Sequence, residues 1–198
     1  MTKYIVIGIV ALCTVAILMS CTDKKKKAST KNANPIVKEK PIENTDHQNP
    51  YLDMRTMAFS AKAEQLGLDT IADDKVYGLI TEISMNPGTA SVIAFSTGDT
   101  SLYLSSGAGF IGAGQHNEVR ALVSEKVDGF QKYLSQAEKV TKPTLPADGK
   151  VNFNFLTKNG MYSVSENLSE LENGRSKLAE LFTEVNEIIS QIRIHSKG

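Results

Sequence analysis

The amino-acid sequence predicts an α+β domain in two layers: a mostly antiparallel sheet of about five strands with helices packed on it, in the order α-βββ-α-ββ-α. Three observations lead there. Two segments, 119–137 and 178–192, repeat apolar residues at three- and four-residue spacing, the period of a helix with one buried face. Five shorter runs of β-branched and aliphatic residues are joined largely by tight turns, and short connections make neighbouring strands antiparallel. Helical stripes of that strength have to be buried, most simply on one face of the sheet.

The elements follow in chain order. Asn49-Pro50 opens the first helix, with Asn as cap and Pro in the first turn. Leu52, Phe59, Ala63 and Leu66 are expected on one face, and Gly67 at its end. Three strands come next, over 76–85, 90–96 and 101–105. Asn86-Pro87-Gly88 and Gly98-Asp99 supply the turns between them. A glycine-rich stretch, 107–114, leads into a long helix whose stripe is Val119, Leu122, Val123, Val127, Phe130, Leu134 and Ala137, with Gly129 as its weak point. Pro143 and Pro146 mark a loop. Val151 to Phe155 alternates as a half-buried strand should, Asn159-Gly160 turns the chain, and Met161 to Ser165 returns. Ser169 and Glu172 have capping-box spacing for a short helical turn. The last helix, 176–194, carries Leu178, Leu181, Phe182, Val185, Ile188, Ile189 and Ile192 on one stripe.

The chain divides into residues 1–20, 21–49 and 50–198. Lys3 precedes an uncharged apolar run, Ile5 to Leu18. As a helix that run spans roughly 21 Å, short of a bilayer core of about 30 Å, so it fits a secretory signal better than a transmembrane span. It ends in Leu18-Met19-Ser20-Cys21: an aliphatic residue, a tolerant position, a small residue and Cys. This resembles the lipobox of bacterial lipoprotein precursors. The resemblance implies that Cys21 receives a diacylglyceryl group, that a peptidase cleaves before it, and that its new amino group is acylated. Cys13 lies inside the apolar run, with bulky Leu12 where a small residue is needed. Once it leaves with the signal, the mature chain has no second thiol for a disulfide. The expected location is the cell envelope, lipid-anchored to a membrane and facing the periplasm or the exterior.

Residues 22–49 read as a basic tether. They hold Lys24-Lys25-Lys26-Lys27 and almost no large apolar residue, with seven Lys against four acidic residues, a net of +3. Such a segment buries too little surface to offset its ordering entropy and reads as a solvated spacer. From Tyr51 onward there are 14 Lys and Arg against 18 Asp and Glu, so the domain is near −4. Without a basic stripe, nucleic acid is not an expected partner.

No HExxH, GxSxG or CxxC motif appears. Asp73-Asp74 reads as a solvated turn. Of the three histidines, His47 falls in the tether and His195 near the end of the chain; only His116 has suggestive neighbours. Gly107-x-Gly109-x-x-Gly112 matches the dinucleotide fingerprint as a string, but the strand before it belongs to a hairpin and not to a parallel βαβ unit. No cofactor and no metal is expected. The candidate site is the loop with Gly107, Gly109, Gly112 and Gly114, followed by Gln115, His116, Asn117 and Arg120. Glycine lets a ligand or another chain approach the backbone closely, and the first N–H groups of the next helix suit an anion. Under a packing alternative, the glycines serve a tight loop with Phe110 and Ile111 as an apolar plug beneath the sheet.

The element order is similar to that of profilin-like and roadblock-like domains, which implies an interaction platform and no particular chemistry. The expected function is a non-catalytic binding module of the envelope, for instance an immunity protein or an accessory subunit. Its partners would be the membrane through the lipid, and another envelope or secreted protein or a small anionic ligand. The alternatives are an envelope or extracellular enzyme with a site around residues 107–120, and a purely structural spacer.

Overall fold

A computed structural model describes residues 49–195 of the chain. Residues 1–48, on which the expected signal peptide, Cys21, His47 and nearly all of the expected tether fall, lie outside the described residues. The element order is α1 (Pro50–Ser60), β1 (Gly78–Ser84), β2 (Thr89–Phe95), β3 (Thr100–Leu104), β4 (Gly109–Phe110), α2 (Asn117–Gly129), β5 (Glu138–Val140), β6 (Lys150–Thr157), β7 (Gly160–Asn167), α3 (Leu168–Glu172) and α4 (Ala179–His195). The strands form one sheet in the order β4-β3-β2-β1-β6-β7-β5, and every neighbouring pair is antiparallel. The α+β class predicted from the sequence holds, with seven strands instead of about five. The two extra strands are the edges, β4 and β5. They are two and three residues long, too short to show an alternating pattern.

The main core lies between the sheet and α2 and α4. Leu79, Val92, Leu102, Val151, Phe153 and Phe155 point to that side, against Val119, Val123 and Val127 of α2 and Leu181, Val185, Ile188 and Ile192 of α4. The last stripe predicted from the sequence is therefore buried as expected. The opposite face holds a smaller cluster in which Ile80, Ile93, Phe95 and Leu156 meet Ala58 of α1, with Ala63 and Tyr77. That face also carries a polar row across three strands, Ser91–Glu82–Asn152, in direct register. Arg55 of α1 reaches down to Glu82 with Nε–Oε1 at 2.6 Å and Nη2–Oε2 at 2.8 Å. The Tyr51 hydroxyl lies 2.9 Å from Ser91 Oγ. A bidentate pair of this kind satisfies a carboxylate that the sheet hides from water.

Several element boundaries differ from the sequence reading. The first helix stops at Ser60, because Ala61 turns extended, and a separate 3-10 turn covers Ala63–Leu66 before Gly67 in the left-handed region. Tyr51, not Leu52, faces inward. Gly98 has positive φ as expected, but the connection is the four residues 96–99, closed by Phe95 N–H donating to Asp99 O at 2.9 Å. The long helix changes to 3-10 at Phe130 and continues so to Gln136, just after Gly129, the weak point. Asn167 stands at the cap of α3 in place of Ser169. Ser176 precedes α4, and its Oγ accepts from Leu178 N–H at 3.1 Å. Asp73 and Asp74 sit in a turn, as expected, with Asp73 3.4 Å from Lys158 Nζ.

Candidate functional site

The glycine-rich loop forms the β4 edge of the sheet, and its glycines do different work. Gly107 turns the chain after β3 with φ 91°, its N–H donating to Leu104 O. Gly109 runs so close to β3 that a Cβ there would lie 2.7 Å from the Leu102 carbonyl oxygen. Gly112 has φ 72°, and its N–H donates to Ser101 Oγ at 3.2 Å. Gly114 is buried against the 96–99 connection, where a Cβ would overlap the Gly98 carbonyl. Two of the four are thus required by sterics and two by backbone conformation. Phe110 and Ile111 are not a buried plug: they are 38% and 71% exposed. Both stand at the sheet edge, outside the core that holds Val119, Phe153 and Ile192.

Two clefts flank the edge. On the α1 side, a trough of about 270 Å³ is lined by Met57, Ala61, Phe95, Tyr103 and Ile111. On the α4 side, a cleft of about 320 Å³ is lined by Phe110, Gly112, Gln115, His116, Ile192 and His195. Residues Gly109, Gly112, Gln115 and His116 therefore converge on the second cleft. Gly107, Gly114, Asn117 and Arg120 do not line it. Arg120 lies across the 96–99 connection, with Nη1 3.4 Å from Thr97 O and Nη2 3.9 Å from Asp99 Oδ1.

The residue that sequence reasoning missed is His195. Its ring centroid lies 4.9 Å from that of His116, and its Nε2 is 3.2 Å from Glu118 Oε2. His116 stands at the cap of α2, and its side chain does not bond the helix backbone. Glu118 occupies the first turn, so the helix start already has a carboxylate beside its free N–H groups. The cleft therefore offers imidazole donors and acceptors for a polar group more than a vacancy for an anion. Among the described residues, no group of three or more His, Cys, Asp or Glu is placed to hold a metal ion. The nucleotide fingerprint lacks its context, because Gly107 follows an antiparallel strand.

The strongly perturbed side chains lie elsewhere. Burial raises the Tyr133 hydroxyl to about 12. Burial also raises Tyr51 and Tyr77, and the bond to Glu82 raises Arg55. These shifts belong to packing and to the α1 attachment, not to the clefts. No known protein family, curated protein or solved structure matches this chain.

Proposed function

We propose that this chain is a lipid-anchored bacterial envelope protein whose folded domain is a non-catalytic binding module for another protein. The anchoring half rests on Leu18-Met19-Ser20-Cys21 at the end of a short apolar run. Two acyl chains already suffice for stable anchoring, and a fully processed Cys21 carries three. The binding half rests on one observation above all. An exposed stretch, 107–111, with Phe110 and Ile111 at the surface, lies between two clefts at a sheet edge. Exposed large apolar side chains beside polar groups are what a protein-binding surface offers.

Metabolic labelling with palmitate tests the anchor. Cys21→Ala is expected to lose the label, remain uncleaved and keep its signal; maturation of Cys21→Ala to the wild-type mass overturns it. Affinity capture of the detergent-solubilised full chain from envelope extract, followed by mass spectrometry, tests the module. His116→Ala is expected to lose the captured partner with little change in melting temperature. A partner retained at full yield by His116→Ala removes this loop from the binding surface.

A further inference from the structure

The geometry points to β-strand addition: the outer edge of β4 takes an extended segment of a partner protein as an eighth strand. This rests on the binding-module reading and names the kind of partner its loop would take.

The backbone alternates along the loop. Ala108 O accepts from Leu104 N–H at 2.8 Å, Phe110 stands opposite Leu102, and Gly112 N–H reaches Ser101 Oγ. All three point to β3. In an antiparallel ladder the residues between them turn their N–H and C=O the other way. Gly109 and Ile111 therefore present their backbone groups outward, where β4 ends the sheet.

Side chains alternate in the same way. Phe110 shares the α4 side with Leu102, and Ile111, next along, lines the α1-side trough with Tyr103 while also bordering the α4-side cleft. Gly109 carries no side chain, because a Cβ there would meet the β3 backbone. A partner residue opposite Gly109 would take the side of Tyr103, which lines the apolar trough with Met57 and Ile111. The next residue, opposite Phe110, would face His116 and His195. The partner segment is accordingly an extended one with a large apolar residue beside a polar, hydrogen-bonding one, and without Pro at the pairing positions.

The two edges of the sheet differ in a way that singles out this one. β5 carries exposed Glu138 and Lys139, and Pro143 follows, the usual devices against edge pairing. Between Asp99 and Glu118 there is no Asp, Glu, Lys or Arg at all. An uncharged edge with Ile111 71% exposed and a cleft on either face is a pairing template.

The test uses the detergent-solubilised full chain and a displayed library of random decapeptides. Enriched peptides are expected to share one large apolar position with a polar neighbour. A synthesised hit is expected to bind at least about tenfold more weakly to Ile111→Lys, a charge placed on the edge. N-methylation of alternate backbone nitrogens in that hit is expected to abolish binding, and methylation of the intervening ones to leave it. Equal tolerance of both methylation series means side-chain docking and overturns strand addition, as does undiminished binding to Ile111→Lys with an unchanged melting temperature. Wild-type dimers in sedimentation that Ile111→Lys dissolves would mean that a second copy fills the edge, which also overturns it. If the library yields nothing while envelope capture still depends on His116, strand addition fails and the binding module stands.

Discussion

Replacing Arg55 by Met tests what fastens α1 to the sheet. The helix buries few side chains of its own, chiefly Tyr51 and Ala58, so its hold depends on the polar row beneath it. Glu82 is fully buried and the Arg55 side chain is 12% exposed, with both guanidinium contacts under 3 Å. Removing one partner of a buried ion pair leaves an uncompensated charge and costs about 3–5 kcal/mol. Here two hydroxyls remain near Glu82 Oε1, Ser91 at 3.2 Å and Tyr51 at 3.4 Å, so the lower end applies. About 3 kcal/mol corresponds to a fall in melting temperature of roughly 6–12 °C for a domain of this size. The assay is urea unfolding of Arg55→Met, Glu82→Met and the double variant. The double variant is expected within about 1 kcal/mol of the wild type, because an apolar pair of similar volume replaces an ion pair at little cost. Tyr51 and Ser91 keep each other's hydroxyl bond at 2.9 Å. A loss below about 1 kcal/mol for Arg55→Met, or a double variant as unstable as the sum of the singles, refutes this account of the attachment.

Two further outcomes follow from the same geometry. Gly114→Ala is expected to destabilise by about 1–3 kcal/mol, because its Cβ meets the Gly98 carbonyl, whereas Gly129→Ala, with open space and helical φ, is expected to gain about 0.4–1 kcal/mol; thermal melts that rank the two the other way refute the close approach. The raised hydroxyl of Tyr133 stabilises the fold below its ordinary value of about 10, and that contribution is lost as pH climbs from there through about 12. Alkaline unfolding followed by circular dichroism is therefore expected to be shallower over that window in Tyr133→Phe, and an unchanged slope would assign it to other groups.

What the sequence made legible was periodic. The α4 stripe is 17 residues of one pattern, long enough for its buried face to be read directly. Gly98 announced a hairpin through a backbone conformation that few other residues adopt, whereas the hairpin read at Asn159-Gly160 turns one residue earlier, at 158–159, and Gly160 already pairs with Thr157 as the first residue of β7. What stayed hidden depends on encounters between distant segments. Glu82 looks like an outward residue of an alternating strand; it is buried only because α1 folds over that face and brings Arg55 to it. His195 looks like a chain-end residue until the end of α4 comes beside the start of α2. The four loop glycines look alike in sequence, and only the approach of Leu102 and Gly98 separates the sterically required pair from the conformational pair. The edge strands were missed because two or three residues carry no period.

Folding and the proposed binding draw on different parts of this domain. The large core side chains sit under α2 and α4, while the β4 edge contributes Phe110 and Ile111 to the surface and little to that core. Substituting Ile111 therefore changes what a partner meets without opening a cavity, and the same is expected of His116 at the rim. Gly109 and Gly114 break this separation, since each holds the edge against β3 or the 96–99 connection. The loop's glycines thus set the position of the edge, and under the proposed strand addition its two exposed apolar residues would set what could pair with it. Variants at Ile111 and His116 consequently test the proposed recognition, and variants at Gly109 and Gly114 report on the fold. An experiment that confuses the two classes would mistake a collapsed edge for a lost contact.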